Sequence, residues 1–217
     1  MSDIFREVDE EVRQDRALAF WERYQLWFIV AAVVIVAATA GWRFHQSRQQ
    51  ALTEEIGARY LAAVQASRDG KPAESTALLE GIVQNGTPGY RQIASLRLAD
   101  EIGATDPKRA IQEFDRISGD AGMDPLFRDA ARLRAAILVL NGGDVKDGIA
   151  RLTPMAASGN AFRSTARELL ATAALTTDDL ETAGRWLDEI VRDPTAPQDV
   201  RQRADAFLAL VRSGRKK

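Results

Sequence analysis

The sequence predicts an all-α protein: a single transmembrane helix, then a stacked array of about four helix pairs, then a C-terminal capping helix. Three observations lead there. Leu26–Trp42 passes without a charge. Beyond it, apolar residues recur with helical rather than alternating period, and all seven prolines fall at breaks between the runs. Finally, the same helix-sized phrases return at intervals of 35 to 38 residues.

The apolar run reads LWFIVAAVVIVAATAGW, with Thr39 as its one hydrogen-bonding aliphatic side chain. At about 1.5 Å per residue it spans roughly 25 Å, and Tyr24 to Phe44 roughly 31 Å, against a hydrocarbon core of about 30 Å. Its Leu, Ile, Val and Phe residues each favour insertion by about 0.3–0.6 kcal/mol. Tyr24 and Trp27 at one end, and Trp42 and Phe44 at the other, suit the headgroup level, where a ring is buried and its polar atom wetted. Arg23 and Arg43 close the run and can extend outward. The anchor residues expected are therefore Leu26, Trp27, Trp42 and Arg43. A buried soluble helix and a cleaved signal peptide compete. Ala38-Thr39-Ala40 resembles a cleavage site, but the leader is acidic and no polar stretch precedes the small residues. Ala37 and Gly41 form a weak small-xxx-small pair. Four arginines before the span, against Arg43, Arg48 and Arg59 after it, favour a cytoplasmic N-terminus by one charge.

The domains expected are an amphipathic tail at 1–23, the span at 24–44 and a repeat domain at 45–217. In the tail, Asp3 can cap a short helix whose Ile4, Phe5, Val8 and Val12 share a face. The tail either leads into the membrane as a solvated helix or docks a membrane partner.

In the repeat domain four segments align: YRQIASLRLA, FRDAARLRAA, FRSTARELLA and VRQRADAFLA. Each carries an arginine (Arg91, Arg128, Arg163, Arg201) with alanine three residues later. A second helix type alternates with the first. Its small residues are Ser75, Ala110, Gly148 and Ala183; four positions on stand Leu79, Phe114, Leu152 and Leu187. The small side chain lets two helices approach, and the large one fills the space beside it. In the last instance an aromatic, Trp186, sits one position early. Paired helices at a period slightly above 34 resemble a degenerate tetratricopeptide repeat, lacking most of the early Trp and Gly of the usual pattern. Asp106-Pro107 reads as an N-cap and first helical residue. Asp199–Arg212 reads as the capping helix, with Arg203 and Arg212 free to face solvent. Arg43–Ser67, interrupted only by Gly57, leads from the span into the first repeat.

A cation near a helix N-terminus opposes the helix dipole by a few tenths of a kcal/mol, so something else should favour the recurring arginines. Either they make inter-repeat contacts, each to a carboxylate or carbonyl of the preceding unit (Glu80, Glu113 and Glu189 are candidates), or they form a repeat-surface ligand clamp.

No catalytic, metal-ligating or cofactor-binding residue is expected. The chain has no cysteine and one histidine, His45, which fits an interfacial polar residue. Nucleotide, zinc-protease and hydrolase motifs are missing. Glu54-Glu55 and Asp178-Asp179 suit a helix surface and a turn. The 29 basic and 31 acidic side chains leave the region beyond the span near neutral, with no electrostatic reason to expect nucleic acid.

The acidic leader FREVDEEVRQDRALAFWERY, the immediate single span and the repeats behind it together resemble the ancillary subunits of the SecYEG translocon. That bacterial family shares a tetratricopeptide domain with a cell-division coordinator. The resemblance covers essentially the whole chain. It implies an inner-membrane protein with a cytoplasmic N-terminus and periplasmic repeats, associated with translocon subunits and periplasmic chaperones, and it carries no catalytic residue. Two functions are expected: an adaptor that binds proteins through its repeats, or a self-associating coordinator of envelope or division machinery.

Overall fold

The computed structural model describes the backbone of residues 3–214 and the side chains of residues 21, 23, 25–27 and 29–213. The apolar face expected of Ile4, Phe5, Val8 and Val12, the Asp3 cap and the Tyr24 ring lie outside the described side chains.

Every regular element among the described residues is helical. These are α1 (Asp3–Arg68), α2 (Pro72–Asn85), α3 (Pro88–Gly103), α4 (Pro107–Gly119), α5 (Pro125–Asn141), α6 (Val145–Leu152), α7 (Arg163–Thr176), α8 (Leu180–Arg192) and α9 (Gln198–Gly214). A single 3-10 turn, Thr153–Ala156, follows α6. The chain divides into two compact units, Met1–Glu55 and Ile56–Lys217, and α1 begins in the first and ends in the second.

Within the first unit the stretch 29–42 of α1 is apolar and exposed. Thr39 Oγ1 donates to Ile35 O at 2.6 Å, so the one hydroxyl of the apolar run is satisfied inside the helix.

The second unit is the array. Pro72, Pro88, Pro107 and Pro125 open α2, α3, α4 and α5, where a missing N–H costs nothing because no intrahelical partner exists there. Pro154 lies in the 3-10 turn, and Pro194 and Pro197 fall between α8 and α9. The second helices of three pairs start on an aspartate at one repeat position. Asp106 accepts from Arg109 N, Asp144 from Asp147 N and Asp179 from Thr182 N, at 2.9–3.0 Å. In the first pair this position is Lys71, which caps nothing. The residue just before the cap has positive φ in three of the four turns: Gly70 (72°), Gly143 (88°) and Asp178 (59°).

Packing repeats with the sequence. Four apolar cores form, each from the first helix of a pair, its second helix, and the first helix of the next pair: α1/α2/α3, α3/α4/α5, α5/α6/α7 and α7/α8/α9. The alanines three residues after the repeat arginines (Ala94, Ala131, Ala166 and Ala204) are all buried, as are Ser75, Ala110, Gly148 and Ala183. Leu79, Phe114, Leu152 and Leu187 fill the space beside them, each contributing about 2 kcal/mol by burial. Gly148 shows why the position must be small: a Cβ there would stand 2.3 Å from Leu140 Cδ2. Gly57 does not interrupt α1; a Cβ on it would meet the Tyr90 hydroxyl at 2.6 Å. Trp186 borders both the third and the fourth core.

Helix α9 supplies the inner face of a first helix and is the last helix described. Val200, Ala204, Leu208 and Val211 close the fourth core. Five and eight residues after the arginine, α3 and α5 bury Leu96 with Ala99 and Leu133 with Ala136. The equivalent residues of α9, Ala206 and Ala209, are exposed.

Candidate interaction surfaces

In the first unit the run expected to lie in a membrane is bare. Leu26, Trp27 and Trp42 are 69%, 71% and 74% exposed, and Arg43 is exposed beside Trp42. Arg48 places its guanidinium 4.8 Å from the Phe44 ring centroid, a cation–π geometry. Gly41 is open on the side where a Cβ would project, and His45 is exposed. Gln25–Arg68 contains an 18-residue window of mean hydropathy 1.9, none of it buried, so this helix is long and apolar enough to cross a membrane. A soluble core helix of that composition would be covered by its neighbours.

In the second unit the four repeat arginines part company. Arg163 Nε donates to Asp193 Oδ2 at 2.8 Å, and its Nη2 also bonds Thr195 Oγ1. Arg167 joins the cluster, reaching Glu189 at 3.2 Å, Asp193 at 3.4 Å and the Ala156 carbonyl at 3.1 Å. Arg163, then Thr195, holds the Asp193 carboxyl well below the usual carboxylate range. Arg91 is exposed and Arg128 and Arg201 are half-buried; among the described residues none of the three forms an ion pair. Arg128 Nε is buried without a hydrogen-bond partner.

The acceptor of Arg163 therefore differs from the expected one. Asp193 stands at the end of α8, thirty residues further on rather than in the preceding unit. Packed helices joined by a tight turn run antiparallel, so the first turn of α7 lies beside the end of its own pair. Of the expected acceptors, Glu189 pairs with Arg167, and Glu113 pairs with Arg116 on its own helix.

Contacts between successive repeats fall elsewhere. Arg134 pairs with Asp100 at 2.5 Å, Arg151 with Asp115 at 2.5 Å, and Arg203 with Glu168 at 2.7 Å. Arg203, expected to face solvent, thus ties α9 to α7, and Arg212 reaches Asp188 at 3.4 Å. Other hydrogen bonds run alongside: Asp124 N donates to Gln92, and Asn160 Nδ2 to the Asp129 carboxylate. Burial pushes the Asp100 carboxyl up, against the pull of Arg134 and Arg97. The legible signal was opposite charges one repeat apart, separated by 34, 36 and 35 residues. These pairs are largely exposed, so each is worth about 0–1 kcal/mol.

Two residues of each first helix, six and nine positions after its arginine, share one face. They are Arg97 and Asp100 on α3, Arg134 and Ile137 on α5, Leu169 and Thr172 on α7, and Phe207 and Leu210 on α9. Along the array this face passes from charged to apolar. Phe207 and Leu210 are 42% and 66% exposed. Between α5 and α7 the face sinks into a groove of about 350 Å³ lined by Ile137, Leu140, Val145, Leu169, Thr172 and Thr176. A smaller depression of about 150 Å³ between α3 and α5 contains Asp100 and Arg134 and shares Ile137. Sequence reasoning by helix faces did not single out this groove.

Stacked helix pairs with a continuous face on their first helices define an α-solenoid of the protein-interaction class. Residues 18–211 match the family described as a tetratricopeptide repeat-like domain, and the chain belongs to that family. Domains of this kind are interaction modules and typically not enzymes. No curated protein matches the chain.

Proposed function

We propose that this protein is a membrane-anchored adaptor of the bacterial cell envelope. Leu26, Trp27, Trp42 and Arg43 hold the apolar part of α1 in the inner membrane. Residues 1–23 stand on the cytoplasmic side, and the repeat domain binds proteins on the periplasmic side. The finer reading is an accessory subunit of the Sec translocon that links it to periplasmic chaperones. It is supported by the resemblance of the leader, span and repeats to the ancillary translocon subunits. The observation that carries the coarser reading is the union in one chain of a bare apolar helix and a tetratricopeptide repeat-like domain.

The test is purification of the full chain from membranes in mild detergent, after crosslinking, with identification of what accompanies it. Recovery of translocon subunits and envelope chaperones is the expected result. Recovery of self-crosslinks alone would instead favour a self-associating coordinator. Reporter fusions at each terminus check the topology, and an N-terminus found outside the cytoplasm contradicts it.

A further inference from the structure

The groove between α5 and α7 and the shelf on α9 occupy one repeat face, and neither carries a charge at its defining positions. Leu169, Thr172, Phe207 and Leu210 correspond residue for residue, six and nine places beyond Arg163 and Arg201. The threonines that line the groove look polar in the sequence but have committed hydroxyls. Thr172 Oγ1 donates to Glu168 O at 2.9 Å, and Thr176 Oγ1 donates to Ala173 O at 2.7 Å. Among the groove-lining side chains only Asn141 keeps a free donor. The charges nearer α3 are matched internally: Arg97 pairs with Glu101 at 2.8 Å, and Arg134 with Asp100 at 2.5 Å. This face therefore exerts no net pull on an acidic or a basic segment. What it offers is desolvation of apolar side chains.

We infer that this face binds an uncharged peptide segment bearing two apolar anchors, one seated in the α5–α7 groove and the other on Phe207 and Leu210 of α9. Packed helices lie about 10 Å apart. The groove lies between α5 and α7, one and a half such spacings from α9, or about 15 Å. The anchors therefore stand about four residues apart in an extended segment, where alternate side chains share a face at roughly 3.3 Å per residue, or about three turns apart in a helical one. The charged α3 end contributes exclusion rather than attraction, since a charged side chain there would have to break an existing pair. This inference rests on the reading of the repeat domain as protein-binding and names the chemistry of its partner.

The experiment uses the full chain in detergent micelles and measures fluorescence anisotropy of labelled synthetic 14-residue peptides. The probe has a Gly/Ser/Asn background with Leu at two positions four apart, and a second probe has the leucines eleven apart. Control peptides replace both leucines with Asp or with Lys. One leucine spacing is expected to bind, and both charged controls to lose at least tenfold in affinity. Thr172→Glu and Leu210→Glu, both at exposed positions, are each expected to weaken binding at least tenfold with an unchanged melting temperature. Lys108→Glu, exposed on α4 and outside the face, should leave binding as it is. Three results would overturn the inference: equal binding of the charged peptides, binding indifferent to both substitutions, or no peptide binding together with a dimer that Leu210→Glu dissociates. The last would make a second copy the occupant. If the peptide binds but membrane purification yields no translocon or chaperone, the translocon reading fails and this one stands. If partners co-purify equally with the Thr172→Glu and Leu210→Glu variants, the reverse holds.

Discussion

Ser75 is fully buried, and its hydroxyl has no partner. The positions equivalent to it carry Ala110, Gly148 and Ala183, so only size is required there. An unpaired buried hydroxyl costs about 1–3 kcal/mol. Ser75→Ala is therefore expected to stabilise the array by about 1 kcal/mol, read as a higher denaturant midpoint with an unchanged slope. Gly148 lies at the opposite limit. Its absent Cβ leaves room for Leu140, and Gly148→Ala is expected to destabilise by about 1–3 kcal/mol, since Leu140 must leave its place against α6. The sequence made both positions legible as small. It did not distinguish a tolerated methyl from a forbidden one, because that depends on how closely one particular leucine approaches. The same shortfall separates Arg163 from Arg91, Arg128 and Arg201. Spacing revealed four equivalent arginines, but not which of them has a carboxylate turned toward it: Asp193 at the end of α8 meets Arg163, whereas Asp120, at the same place at the end of α4, accepts from Gly122 N instead.

Caps decide where the second helices begin. Asp106, Asp144 and Asp179 each accept one of the backbone N–H groups that have no partner in a first turn. Asp144→Ala is expected to cost about 1 kcal/mol. Conversely, Lys71→Asp should add about 0.5–1 kcal/mol by giving α2 the cap that its three counterparts have. Thermal melts of the two variants side by side would check both signs; a stabilised Asp144→Ala protein would contradict the account. Pro72 and Asp106-Pro107 announced two of these boundaries in advance. Pro154 likewise marked the end of α6, but not the 3-10 turn that follows it. Helical period continues through Thr153–Ala156, and Met155 and Ala156 are buried as a longer helix would bury them, so the change to a 3-10 turn leaves the hydrophobic pattern intact. The groove escaped notice for a related reason: Thr172 and Thr176 count as polar until their hydroxyls are seen bonded to their own helix.

For the repeat domain as a whole, the cluster that joins α7 to the end of α8 sets an acid limit. The Asp193 carboxyl is depressed in the folded state by Arg163 first and Thr195 second. Its contribution is complete above the unfolded-state value of about 4 and is lost as pH falls toward the folded-state value. Asp193→Asn should therefore lower stability at neutral pH and flatten the decline below about pH 4. Urea midpoints taken between neutral pH and pH 3 would show the two curves converging in acid; parallel curves would rule out this origin.

Helix α9 ends the domain with Ala206 and Ala209 where α3 and α5 place Leu96 with Ala99 and Leu133 with Ala136. A further helix pair laid against that face would bury two methyl groups where α3 and α5 each bury a leucine and a methyl, so α9 offers about 2 kcal/mol less to stack on.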